Sequence, residues 1–145
     1  MFDLWSATAR RVADAALLDA ARRRCAFVEP VHFLAALLRE HDAGANRWLR
    51  EEAQVAPALP PELEPHLRGL PTDKRYAKFS DSTEAVLRFV ATQAAGRERR
   101  TCETMDLLYA LSRQEGDPAM EFLKGAQVGS RRIELAMETG KWPDL

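Results

Sequence analysis

The sequence predicts an all-α domain made of two pseudo-symmetric four-helix repeats, about eight helices in all. Three observations predict it. The first is an internal duplication, in which residues 5–55 recur degenerately as residues 79–128. A shift of 74 positions puts Val12 on Val86, Ala20-Ala21 on Ala94-Ala95 and Arg23 on Arg97. The same shift puts Leu34 on Leu108, Ala36-Leu37 on Ala110-Leu111, Arg39 on Arg113 and Leu49 on Leu123. One residue is then lost, and Ala53-Gln54-Val55 meets Ala126-Gln127-Val128 at an offset of 73. The second observation is apolar periodicity near 3.6 through most of the chain. The third is that no run of alternating apolar and polar residues is long enough for a sheet. A unit of this size is too long for most solenoid repeats and too short for two robust independent domains. One domain over residues 1–145 is therefore expected, with two copies sharing a core. Repeat one spans about 4–55, a Pro-rich segment and linker 56–78, and repeat two about 79–139.

From Leu4 to Arg24, Trp5, Ala9, Val12, Ala13, Ala16, Leu17 and Ala20 form one apolar stripe. Arg22-Arg23-Arg24 closes that helix, where cations offset the negative end of the macrodipole. Glu29-Pro30 starts the next, with proline at the first helical position, where its missing N–H costs nothing. The run from Phe33 to Leu38 is too continuous for a surface helix and predicts a buried one. His41 to Gly44 breaks it, and a third helix carries Trp48 and Leu49. Pro57, Pro60, Pro61, Pro65 and Pro71 crowd the following stretch, which leaves room for one short helix over about 61–68.

The second copy opens with Ser80 or Asp81 as cap, and Asp81 with Glu84 resembles a capping box. Its long helix turns Val86, Phe89, Val90 and Ala94 inward and ends near Gly96. Thr104 is the expected cap of the next helix, and Asp117-Pro118 starts another that ends near Gly125. A last helix runs from about Ser130 to Thr139, with Gly140 terminating it.

Composition narrows the function. The net charge of −1 supplies no global field towards nucleic acid or anionic lipid. No apolar stretch reaches the 18 or so residues of a membrane span, and no signal peptide opens the chain, so the cytoplasm is the expected compartment. Cys25 and Cys102, close to equivalent repeat positions, read as apolar fillers and not as a disulfide scaffold. No Gly-rich turn ends in Gly-Lys-Ser/Thr, so nucleotide hydrolysis is not expected, nor any cofactor. His32, His41 and His66 fall on separate elements without ligand spacing, which argues against metal. His32, beside the apolar run, reads as a structural histidine. Ser6, Ser80 and Thr104 stand at helix starts, where capping accounts for them. Phe2, Trp5 and Trp142, near the termini, are the aromatics most open to exposure. Arg23, Arg24, Arg99 and Arg100 occupy matching helix ends and form a candidate anion patch; dipole compensation on a solvated face is the simpler reading.

Two segments carry a resemblance. The first is Val28-Glu29-Pro30-Val31-His32-Phe33-Leu34-Ala35-Ala36-Leu37-Leu38-Arg39-Glu40, and its degenerate counterpart runs from Cys102 to Gln114. Each follows a long Ala-rich helix that opens with an aromatic and a serine: Trp5-Ser6 and Phe79-Ser80. In this the chain resembles the N-terminal domain of the Clp/Hsp100 AAA+ unfoldases, a module of two four-helix repeats, from about residue 4 to residue 139. No AAA+ module follows within these 145 residues.

The resemblance implies a protein-binding module without catalysis of its own, capturing substrate or adaptor segments for quality control or proteolysis. It implies that Trp5, Ser6, Phe79 and Ser80, with Val31 and Met105 on the adjoining helix starts, border the peptide or adaptor site. Family members that read phosphorylated arginine do so through a Glu at the positions of Val31 and Met105, together with the opening Ser/Thr. Val and Met cannot pair with a guanidinium, so an unphosphorylated apolar ligand is expected, and Val31→Glu is expected to create weak phospho-arginine binding. Two further readings remain open: a free-standing decoy that sequesters Clp adaptors or inhibitors, and a nucleic-acid-binding helical protein using the arginine clusters.

Overall fold

Trp5 lies in extended backbone, and Ser6 turns the chain into helix α1 (Ala7–Arg22), its hydroxyl accepting from the Ala9 N–H at 3.0 Å. A cap of this kind contributes about 1 kcal/mol. The helix expected from Leu4 starts later because the backbone of Trp5 bridges to Cys102 instead of coiling. These coordinates come from a computed structural model, which describes residues 2–74, 77–96 and 101–145. Ala9, Val12, Ala13, Ala16 and Ala20 form the buried face of α1, as their spacing predicts.

A two-residue strand β1 (Phe27–Val28) leads into α2 (Pro30–Arg39), in which every residue from Pro30 to Leu38 is buried. Helix α3 (Gly44–Glu51) sets Trp48 and Leu49 into the core. The Pro-rich segment forms a 3-10 turn (Pro61–Leu63) running into α4 (Glu64–Arg68), anchored by buried Leu63 and Leu67. Strand β2 (Lys78–Phe79) then opens the second copy: α5 (Asp81–Ala95), α6 (Thr104–Ser112), α7 (Pro118–Gly125) and α8 (Ser130–Glu138).

One of the two caps expected for α5 is used, and the cap expected for α6 is not. Ser80 caps α5 by accepting from the Thr83 N–H at 3.1 Å, and Asp81 is already helical, so the Asp81–Glu84 box does not form. Glu103, not Thr104, caps α6, its N–H donating to the Asp106 carboxylate at 2.8 Å. Thr104 becomes a fully buried first residue of the helix. Cys102 takes the place of Val28, not of Cys25, and both cysteines are buried.

Among the described residues the all-α architecture keeps two short parallel pairings. Val28 pairs with Phe79, and its counterpart Cys102 pairs in parallel with Trp5, the counterpart of Phe79. The Ser80 N–H donates to the Val28 carbonyl at 3.2 Å, and the Ser6 N–H to the Cys102 carbonyl at 2.8 Å. Each copy thus lends its opening residues to the other. Pairings this short leave no alternating pattern for a sequence to display. Helices cross over likewise: α7 packs on α2 and α3 on α6, while α2 and α6 touch at the centre. Both central helices are buried nearly all round because other elements cover them, with His32, Thr104 and Asp106 as buried polar exceptions. Truncating a central leucine such as Leu34 or Leu108 would cost about 2–5 kcal/mol.

The repeated Ala-Gln-Val has a backbone cause. Gln54 and Gln127 both adopt left-handed conformations, φ 55° and 62°. The Val128 N–H then reaches back to the Leu123 carbonyl at 2.8 Å, the bond of a Schellman cap that spans more residues. The Val55 N–H reaches the matching Leu49 carbonyl at 2.7 Å across one more residue, the residue that the second copy lacks.

Candidate functional site

The exchange of opening segments brings Trp5 and Phe79 to one place, at the seam between the copies. Phe2 stands edge-on to both, with ring centroids 4.8 Å from Trp5 and 6.5 Å from Phe79. Edge-to-face geometry of this kind aligns the positive ring edge with the negative face. Helix α5 supplies the other wall through Glu84, Leu87, Arg88 and Ala91, enclosing a depression of about 390 Å³. Trp5 and Ala91 also border a neighbouring hollow with Asp3, Leu4, Ala94, Ala95 and Cys102. Together these make a groove along α5 with Leu4, 63 % exposed, at one end. Trp5, expected to be open, is buried as the groove floor, while Phe2 and Phe79 are half-buried. Glu84 and Arg88 stand exposed at the rim with opposite charges.

The six residues singled out from sequence do not gather in one place. Trp5 and Phe79 meet in the groove. Ser6 and Ser80 face helix ends, and the Ser80 hydroxyl donates to Thr83 Oγ1 at 3.0 Å. Val31, 1 % exposed, lies in a separate hollow with Phe27, Glu29, His66, Leu70 and Asp117. Met105 borders a third with Glu103, Asp106, Met137, Trp142 and Pro143. Glu84, Leu87, Arg88 and Ala91 were missed, although their i, i+3, i+4, i+7 spacing marks one helix face. Phe2 was missed as a wall because nothing local couples it to Phe79.

A carboxylate at position 31 would be buried in the hollow that already holds Glu29 and Asp117, and burial raises the Asp117 carboxyl above its ordinary range. The gain expected from Val31→Glu therefore does not follow. Of the arginines, Arg23 is engaged by Glu64 at 2.6 Å and Asp19 at 2.9 Å, which hold its pKa up. Arg24 is exposed with φ 56°, and its carbonyl accepts from the Thr72 N–H. Arg99 and Arg100 lie outside the described residues.

The buried imidazole and thiol are structural. His32 Nδ1 accepts from the Glu29 N–H at 2.9 Å, which fixes the tautomer with Nε2–H donating to the Leu67 carbonyl at 2.9 Å. Burial lowers its pKa, so the ring is neutral. Cys25 Sγ, 3.7 Å from that nitrogen, donates to the Leu67 and Arg68 carbonyls at 3.1 and 3.2 Å. Desolvation raises the thiol pKa, and an Nε2 already bearing a proton cannot act as its base. No group of three or more His, Cys, Asp or Glu able to hold a metal gathers among the described residues. No helix among them is long and apolar enough to cross a membrane.

Known proteins share this fold. A chain from structural investigations of a malarial protein secretion system superposes with a TM-score of 0.74 at 19 % identity, over 94 % of both chains. The N-terminal domain of Hsp104 from Candida albicans superposes with a TM-score of 0.68 at 18 % identity, over 97 % of this chain and 93 % of that one. At such identities the likeness concerns the fold. The family profile of the Clp repeat (R) N-terminal domain matches residues 5–126, most of both repeats, and the chain belongs to that family.

Proposed function

We propose that this chain is a non-catalytic protein-binding module that captures short apolar or amphipathic segments of substrates or adaptors in the groove along α5. The observation that carries the reading is the meeting of Phe2, Trp5 and Phe79, drawn from both copies, above a helix face with Glu84 and Arg88 at its rim. An apolar floor with a few charged rim groups suits an amphipathic segment, whose side chains supply affinity while the rim sets orientation. The Trp5 side chain is already buried and packed against Phe2, so little side-chain entropy is lost when a ligand covers it. Membership of the Clp N-terminal family supports a place in unfoldase-linked quality control, in the cytoplasm.

Fluorescence anisotropy of labelled amphipathic peptides against the full chain tests this. Phe79→Ala should weaken binding at least tenfold, and Arg88→Glu should shift preference from acidic to basic peptides. Unchanged affinity in both variants would place the binding surface elsewhere.

A further inference from the structure

Residues Trp142–Leu145 return across the molecule to the seam between the copies. The Asp144 carboxylate is received by four donors from three separate helix starts: the Ser6 hydroxyl at 2.6 Å, the Gly44 N–H at 2.9 Å, the Thr104 N–H at 2.9 Å and the Thr104 hydroxyl at 2.5 Å. Ser6 caps α1, while Gly44 and Thr104 are the first residues of α3 and α6. The positive ends of three helix dipoles therefore converge on one anion.

The seat is shaped for a passing backbone as well as a charge. Gly44 has ordinary helical geometry, but a Cβ there would overlap the Trp142 carbonyl and lie 2.8 Å from its carbon. The Arg47 guanidinium donates to the Pro143 carbonyl, the Leu145 N–H donates to the Asp42 carbonyl, and Thr8 Oγ1 donates to the Leu145 carbonyl. Apart from half-buried Trp142, the segment has no apolar anchor: Lys141, Pro143 and Leu145 are exposed, and Gly140 before it turns at φ 67°. A segment outside any helix, joined through a glycine and held by hydrogen bonds more than by apolar burial, belongs to the easily opened part of a fold.

We propose that Trp142–Leu145 is a displaceable latch. Its seat, made by Ser6, Gly44 and Thr104, is a carboxylate-binding site that takes an aspartyl segment in trans when the chain's own is withdrawn. Ser6, expected from sequence to serve the ligand groove, instead serves this second site. Withdrawal of the latch also opens the hollow beside Met105 that Trp142 and Pro143 now border.

The amide resonances of Gly44 and Thr104 in the full chain report the seat directly. Asp144→Ala should move both, and unmoved resonances would overturn the proposal. In the full chain carrying Trp142→Ala and Asp144→Ala, acetylated and amidated Trp-Pro-Asp-Leu should return both resonances towards their original positions. The Asn-containing peptide should bind at least tenfold more weakly, the discrimination expected of a charge-assisted bond. Equal binding of the two peptides, or no response to either, would refute the site. Acetate separates the sources of the charge: weak restoration at high concentration assigns the affinity to the whole segment, and restoration equal to the peptide's would overturn segment recognition. Gly44→Ala offers a second test should the double variant fail to fold, because it expels the latch while leaving every donor in place. Trypsin should then remove Trp142–Leu145 at Lys141 at least tenfold faster than in the unaltered chain, and an unchanged rate would overturn the latch.

Discussion

Gln54 and Gln127 hold the same left-handed backbone position beyond the ends of α3 and α7, at φ 55° and 62°. In both, a following valine is pulled back to a leucine carbonyl of the preceding helix, so the conformation closes the helix end and buries Val55 and Val128. A side chain in this conformation costs about 1–2 kcal/mol that glycine avoids. Part of the gain from glycine is offset by the greater freedom of the unfolded chain. Gln127→Gly is therefore expected to stabilise the protein by roughly 0.5–1 kcal/mol, and Gln54→Gly by a similar amount. Urea unfolding midpoints at equal m-value check both.

His32 predicts a pH dependence. Its ring is neutral and fully buried, and desolvation lowers its pKa below the ordinary value of 6.5. The unfolded chain protonates this histidine as pH falls through 6.5, while the folded chain resists until its own lower pKa is reached. Over that window the unfolded state binds more protons, so stability is complete above 6.5 and declines towards acid. His32→Gln should be less stable at pH 7.5 by about 1–3 kcal/mol, the cost of disturbing buried hydrogen bonds. It should also flatten the acid decline, as read from unfolding curves between pH 7.5 and 5. An identical decline in the variant would assign it to other groups.

Val31→Glu should destabilise the fold and leave it without phospho-arginine binding. The substitution places a carboxylate at a position 1 % exposed, in a hollow already holding Glu29 and Asp117. Burial of an unpaired charge places it among the most damaging kinds of substitution, about 3–5 kcal/mol. In the unaltered chain, calorimetry should find phospho-arginine binding no tighter than arginine or phosphate alone. Tight phospho-arginine binding there would contradict this.

Cys25 and Cys102 should behave as core residues towards thiol reagents. Both are buried, and the Cys25 thiol is held protonated by desolvation against two backbone carbonyls. Modification by an aromatic disulfide at pH 8 should be slow in the native protein and complete on addition of denaturant. A fast native phase would show that Cys25 opens locally.

The groove makes a prediction of direction. Leu87 is buried and lines the depression with Phe79, and Leu87→Ser should weaken amphipathic peptide binding along with a loss of stability. Glu84→Ala should chiefly alter dependence on salt and on peptide charge, because an exposed rim charge contributes little affinity of its own. Anisotropy titrations at two ionic strengths separate the two effects.

Much of this protein is decided within a few residues of each position, and the sequence alone determined it. The stripe from Ala9 to Ala20, the proline at the head of α2, the buried run from Phe33 to Leu38 and the glycine after α5 each act over one or two helical turns. The copying of that pattern at residues 79–128 determined the two-fold plan. Caps were legible as residue types, but Glu103 displaced Thr104 because competing caps differ by less than the tertiary contacts around them. Tertiary structure alone decided what crosses the seam: Trp5 on Cys102, Phe79 on Val28, and Asp144 on Ser6, Gly44 and Thr104. Those partners lie far apart in the chain and are chosen by how two helical copies close around α2 and α6. No periodicity encodes that closure, so the six residues singled out from sequence dispersed, while the groove and the seat of Asp144 formed from neighbours brought together in space.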